Sequence, residues 1–256
     1  MVLELTRETT ADRINAIVNH ESIYPHIKGP HTGPLDLTPV ASRDEHVILT
    51  GEHGGIVFIR HLPGIYEAHT SVLPEGRGEW TVAFGQAAAH WMFTRTDAFE
   101  LLTKCPKGNL AAVAGARRSG ASLAFSTRPI WQTDDGLVPV DVYSLILQNW
   151  VRTAPDLVQL GREFHLRLAA EIARAGLLDD IHPDDEVHDR YVGAAAAMIV
   201  SGHVGKAIDF YNRWAVMSAY EPIRVVTRDP FIINIKTCFL KVIPGGFEVL
   251  NANGRN

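Results

Sequence analysis

Glu67 and His69 stand two residues apart in the alternating run from Ile65 to Leu73. In an extended strand that spacing puts both side chains on one face. A carboxylate beside an imidazole can take and pass a proton, and here the pair interrupts a stretch otherwise suited to burial. The same two residues could instead hydrogen-bond to neighbouring strands or line an open sheet face. The run ends in Leu73-Pro74-Glu75-Gly76-Arg77-Gly78-Glu79-Trp80. A glycine-rich turn that enters a helix leaves backbone N–H groups unused, which suits an anion such as a phosphate. Asn109, after Gly108, fits the N-cap of a second helix that closes on Arg117-Arg118. The two arginines suit the negative end of that helix, or a phosphate.

Two other groupings carry chemistry-bearing residues. In His182-Pro183-Asp184-Asp185-Glu186-Val187-His188-Asp189, Asp185 and His188 are three apart and could face one ion. The acids equally suit the first turn of a helix, and firm metal motifs have stronger spacing, so no metal is expected. Tyr211-Asn212-Arg213-Trp214 with Trp150 could form an aromatic, basic surface for a flipped base, or could be core and rim packing at helical spacing. His20, His26, His31 and His53 are loop histidines.

The elements that must position these residues follow from periodicity. Thr9 or Thr10 caps a helix whose Ile14, Ile17 and Val18 share a face. Glu21 to Pro39 reads as an ordered loop. Strands are predicted at 46–50, 56–59 and 65–73, then a helix over 80–93 with Val82, Ala83, Gln86, Ala87, His90 and Trp91 on one side. A strand at 99–104, a helix over 109–119 and strands at 122–125 and 138–147 complete residues 1–150. Residues 151–256 are mostly helical (157–175, from Pro183 through 200, 205–218) and end in short strands at 223–226, 231–235, 239–242 and 247–250.

The chain has 256 residues, 46% hydrophobic and 21% charged, which permits one large or two small globular domains. A formal charge of −5 gives no global pull toward nucleic acid. Cys105 and Cys238 have no partnered spacing, so neither a disulfide framework nor a zinc site is expected, and a reducing cytoplasm is the default. The N-terminus is charged and lacks a signal-type apolar run, and Val192 to Val200 is too short to span a bilayer.

With the elements placed, residues 46–147 resemble the GNAT superfamily of N-acetyltransferases in their order of strand, strand, strand, helix, strand, helix, strand, strand. The local matches are Val72-Leu73-Pro74-Glu75-Gly76-Arg77-Gly78 before a long helix, and Gly108-Asn109 entering a helix that ends at Gly120-Ala121. The resemblance implies an α/β (α+β) fold: a mixed, mainly antiparallel sheet flanked by helices, with a helical C-terminal extension. It implies an acyltransferase that moves the acyl group of acetyl-CoA to an amine. Glu67 would be the base with His69 adjacent, and Leu73, Arg77, Gly78, Glu79, Trp80 and Asn109 would hold coenzyme A. The family's usual tyrosine acid is absent between Asn109 and Ala121, with Tyr24 and Tyr143 as substitutes from elsewhere.

The whole chain looks most like GNAT-like proteins of tailed phages. That likeness implies an infected bacterial cytoplasm, an aminated base in DNA as acceptor and, as a further partner, a second copy in a homodimer. The chain departs from the family pattern at Trp80 and Val82, where the pyrophosphate loop normally has small residues. Either these side chains point away and leave the amides free, or coenzyme A is not held in the usual way. The second case implies a base-modifying enzyme of the Mom type or a non-catalytic scaffold.

Overall fold

The structure is a computed structural model describing residues 3–29, 33–133, 136–174, 185–218, 220, 222–228, 231–235, 238–243 and 246–250. By contact density the chain divides into two compact units. One is Met1–Phe93 with Asp97–Trp150, and the other is Thr94–Thr96 with Val151–Asn256.

The first unit is built on a seven-stranded sheet. In chain order its elements are β1 (Thr6–Glu8), α1 (Asp12–Val18), α2 (Tyr24–Ile27), α3 (Thr38–Ala41), β2 (Val47–Gly51), β3 (Gly54–Leu62), β4 (Ile65–Val72) and a 3₁₀ turn, Pro74–Gly76. There follow α4 (Glu79–Arg95), β5 (Glu100–Pro106), α5 (Leu110–Arg118), β6 (Ser122–Ser126), the small hairpin β7 (Trp131–Thr133) and β8 (Gly136–Val138), and β9 (Val140–Ile146). The sheet order is β1-β2-β3-β4-β5-β9-β6. Only the central β4·β5 pair is parallel, and α4 makes the crossover between its strands.

Register sorts the side chains onto two faces. Ile48, Val57 and His69 form one row, and Ile59, Glu67, Leu102 and Ser144 form the next. On this face Ile48 and Val57 pack with Ala11, Ile14 and Val18 of the α1 region. Phe58, Tyr66, Leu101 and Tyr143 alternate with these and are buried.

In α4 the buried stripe is Phe84, Ala88, Ala89, Met92 and Phe93. The side expected from sequence (Val82, Ala83, Gln86, Ala87, His90, Trp91) is the more accessible one. The helix is apolar nearly all round, so its pattern does not mark the inner face. Two further expectations are corrected. Ala11, not a threonine, stands at the N-cap of α1, while Thr10 Oγ1 donates to Asp12 instead. The segment taken as loop carries two short helices, α2 and the start of α3. Each has proline in its first turn, where a missing N–H costs nothing.

The second unit holds α6 (Leu147–Thr153, shared at the boundary), α7 (Leu157–Arg174), α8 (Glu186–Val200), α9 (Val204–Met217) and an antiparallel sheet of β10 (Arg224–Arg228), β11 (Phe231–Ile235), β12 (Cys238–Ile243) and β13 (Gly246–Leu250). Helices α7 and α8 approach backbone to backbone. A Cβ on Gly161 would lie 2.0 Å from the Asp189 carbonyl oxygen, and one on Gly193 would lie 2.0 Å from that of Leu157. A smaller cluster joins Ile208 to Leu240. No helix among the described residues is long and apolar enough to cross a membrane.

Candidate active site

Glu67 lies in the middle of β4 with 5% of its surface exposed. Three half-exposed donors close on its carboxylate. His61 Nε2 donates to Oε2 at 2.8 Å, Lys104 Nζ to the same oxygen at 2.7 Å, and His69 Nε2 to Oε1 at 3.1 Å. His69 shares the strand. Lys104 comes from β5, two residues beyond the residue paired with Glu67. His61 comes from the irregularity in β3 between Arg60 and Leu62, where one extra residue re-aims the side chain.

Burial pushes the Glu67 carboxyl up. The hydrogen bonds from His69 and Lys104, and then their charges, outweigh it and bring the group from its ordinary 4.5 to about 2. A carboxylate held that low is a weak base. It also fixes its neighbours: an ionised carboxylate only accepts, so both imidazoles carry a proton on Nε2. The lone pair of each neutral ring is then on Nδ1, turned away from Glu67.

The parallel ladder between β4 and β5 runs from Ile65↔Glu100 to Glu67↔Leu102 and stops, although both strands continue for several residues. Just beyond, the Thr103 hydroxyl, not a main-chain amide, reaches the Ala68 carbonyl at 3.1 Å. The edge of β4 next to His69 is thus released from the ladder.

That edge leads into the turn. Leu73 is tied down by its N–H to the His53 carbonyl at 2.8 Å, and Thr81 Oγ1 donates to the Gly76 carbonyl at 2.7 Å. Gly78 adopts φ +100°, a conformation that favours glycine, and a Cβ there would meet nothing within 4 Å. Among the described residues, no protein acceptor takes the amide protons of Gly78, Glu79, Trp80 or Thr81.

The Trp80 side chain does not cover them. Its ring turns inward, stacks on Phe84 at 4.6 Å and meets His53 edge-on at 5.3 Å. Gly51 and Gly76 make room for it: a Cβ on either would fall about 3 Å from the indole. The turn therefore keeps open amides while carrying a bulky residue, because the bulk is stored beneath it. These residues fit a diphosphate: four N–H groups without a protein acceptor at a helix N-terminus, with nothing within 4 Å of a Cβ built on Gly78.

The other expected positions sort as follows. Glu79 is exposed and pairs with Arg118 at 2.6 Å, and Arg77 is exposed with a long contact to the Ser22 carbonyl at 3.5 Å. Arg117 lies over the ring of Tyr143, which is buried, and the Tyr24 hydroxyl is bonded to the Gly33 carbonyl. Asn109 is an N-cap: its Oδ1 accepts from Ala112 N at 3.0 Å. His61 and Lys104 were not singled out by sequence. A lysine at the fifth position of β5 was the available signal for one, and a bulge has none.

In the second unit, Asp185 caps α8 by accepting from the amides of Val187 and His188, and Tyr220 donates to it. Residues 182–184 of the grouping from His182 to Asp189 lie outside the described residues. His188 turns inward, and its ligand atoms lie within 4.8 Å of those of His165 and Asp189. Asp189 also accepts from Arg162 at 3.2 Å, which opposes a cation there. The His165 and His188 rings are parallel to within 8°, so their lone pairs do not converge. Of the two readings of the aromatic residues, packing holds: Trp150, Tyr211 and Trp214 are buried, and Trp214 is stacked on Tyr191 and Tyr220. Apolar area rather than base recognition placed these rings.

No family model matches the chain, and no curated protein matches it. Solved structures do. The spermidine N-acetyltransferase from Vibrio cholerae, in complex with CoA and spermine, matches with TM-score 0.50 and 13% identity over 58% of this chain and 98% of that one. A variant of that enzyme gives TM-score 0.50 and 14% identity over 60% of this chain and all of the other. A GNAT-family acetyltransferase from Bacillus anthracis gives TM-score 0.46 and 11% identity over 57% of this chain and 98% of that one. The chain thus contains the GNAT fold, a mainly antiparallel sheet with one parallel pair at its centre. The rest of the chain has no counterpart in these structures.

Proposed function

We propose that this protein is an N-acyltransferase that moves an acyl group from acetyl-CoA to an amine. The observation that carries the reading is the alignment of three features along β4: the Glu67–His69 pair, the released strand edge and the turn with free amides. Gly78, Glu79, Trp80 and Thr81 would receive the diphosphate through backbone N–H, with Leu73 and Arg77 framing the turn. The free edge of β4 would receive the amide-bearing arm of the cofactor. Asn109 contributes by holding the start of α5. Bound acetyl-CoA supplies the thioester carbonyl.

His69 takes the base role first expected of Glu67. Its Nδ1 accepts the proton that the acceptor ammonium sheds. The amine nitrogen then forms its bond to the carbonyl carbon, the C–S bond breaks, and the second proton shed by that nitrogen passes through water to the thiolate. Glu67 positions His69, fixes its tautomer and stabilises the imidazolium. An alkyl thiolate is a good enough leaving group to need little acid assistance, which suits a site with no assigned tyrosine.

The test is calorimetric titration with acetyl-CoA, followed by thiol release in the presence of amines. Micromolar binding at one site and amine-dependent release support the reading. No heat at millimolar acetyl-CoA overturns it. An aminated base in DNA, the acceptor implied by the phage resemblance, enters the same assay as an oligonucleotide substrate. The charge of −5 works against that acceptor, since phosphate contacts drive affinity for DNA.

A further inference from the structure

Glu67 is one carboxylate answered by three donors. Lys104 spends one N–H on it and keeps two, and its side chain is 39% exposed. The placement of that charge is specific. On the same face β5 also carries Glu100 and Leu102. Glu100 sits at the closed end of the parallel ladder, where it pairs with Ile65 and Ile146 and accepts from Ser144 Oγ at 2.6 Å. Lys104 sits beyond the last rung, at the open end, beside the edge of β4 that carries His69. Among the described residues, Glu67 is the one carboxylate bonded to it. The mouth of the site therefore ends in an ammonium with unused donors, while the negative charge beneath it is buried and fully engaged.

We propose that the acceptor is an amine that carries its own anionic group, a carboxylate or a phosphate, and that Lys104 receives that group while the amine faces His69. This rests on the acyl-transfer reading above and narrows it. The geometry disfavours polyamines such as the spermine bound by the Vibrio cholerae enzyme, because a second cationic arm would meet Lys104 with like charge. A charge-assisted bond to a carboxylate or phosphate is the complementary arrangement.

The experiment compares matched acceptors on the full chain at saturating acetyl-CoA: L-amino acids against their C-terminal amides, O-phosphoethanolamine against ethanolamine, and spermidine. The expected kcat/KM is about 10- to 100-fold higher for the anionic member of at least one pair, the span of one charged hydrogen bond. Which pair responds distinguishes carboxylate from phosphate. Lys104→Met should collapse that ratio mainly through KM of the anionic member, and Lys104→Arg should retain most of it. Equal or better turnover of the amides, ethanolamine or spermidine overturns the inference and leaves acyl transfer standing. So does an unchanged ratio in Lys104→Met, or acetyl-CoA binding with no turnover of either anionic class. Absence of both acetyl-CoA binding and turnover overturns acyl transfer, and this inference with it.

Discussion

Glu67→Gln keeps the shape of the side chain and removes the charge that three donors share. If Glu67 positions His69, the variant should bind acetyl-CoA normally and lose kcat, and His69→Ala should lose about 10²- to 10⁴-fold, the usual worth of a positioned base. Equal acetyl-CoA affinity with unchanged kcat in both variants would remove the pair from the chemistry. Glu67 also makes stability pH-dependent. Its folded pKa, about 2, is depressed from 4.5, so its contribution is complete above the unfolded value and is lost as pH falls from near 4.5 toward 2. The shift corresponds to about 3 kcal/mol. Urea titrations at pH 7 and at low pH should show the gap between the native protein and Glu67→Gln shrinking by most of that amount. A constant gap would mean that the three donors do not hold the carboxylate in solution. The pair was legible in the sequence as a polar interruption of a strand. The crowding of donors on Glu67 was not, because His61 and Lys104 arrive from a bulge and from a neighbouring strand.

At the scale of elements, the turn before α4 separates two kinds of glycine. Gly76→Ala would place a Cβ 2.6 Å from His53 Cβ and 2.9 Å from the Trp80 ring. It should cost about 1–3 kcal/mol by overpacking, read as a lower urea midpoint. Gly78→Ala meets no atom within 4 Å but must hold φ +100°. It should cost about 1 kcal/mol and should raise KM for acetyl-CoA out of proportion to that loss if its amide receives the diphosphate as proposed. Asn109→Ala removes a cap worth about 1 kcal/mol, and a matching fall in stability with little change in kcat would mark its role as structural. Asn109 was readable from local sequence because capping is a local interaction. Trp80 was not: whether an indole plugs a loop or lies under it depends on Gly51 and His53, which meet it only in the fold.

At the scale of the molecule, the division into two compact units predicts that ligand and stability are linked unequally. Acetyl-CoA at about 100 times its dissociation constant should add about 2.7 kcal/mol to whatever it binds. Scanning calorimetry should therefore resolve more than one transition, with saturating acetyl-CoA raising the one that belongs to the unit containing β1–β9. A single transition, or an equal rise of both, would mean that the units unfold together. The second unit has its own buried carboxylate beside a histidine, Asp189 and His165 at 3.2 Å, but Arg162 also bonds Asp189 and no open turn lies beside them among the described residues. Its rings form a stack: Tyr191, Trp214, the half-buried Tyr220 and His188 lie at successive centroid distances of 4.5, 4.9 and 4.6 Å.

By itself the sequence determined the strand–helix order from β2 to β6, the shared face of Glu67 and His69, the Asn109 cap and the glycine turn. All of these rest on spacings of a few residues, which backbone geometry turns directly into direction. Only the tertiary structure decided the rest. It chose which side of α4 is buried, because that helix is apolar all round. It ended the β4·β5 ladder at Leu102 and stored Trp80 beneath its own loop. It also brought His61 and Lys104 onto one carboxylate. Those outcomes depend on contacts between residues far apart in the chain, and the charge state of Glu67 is set by neighbours that no local pattern brings together.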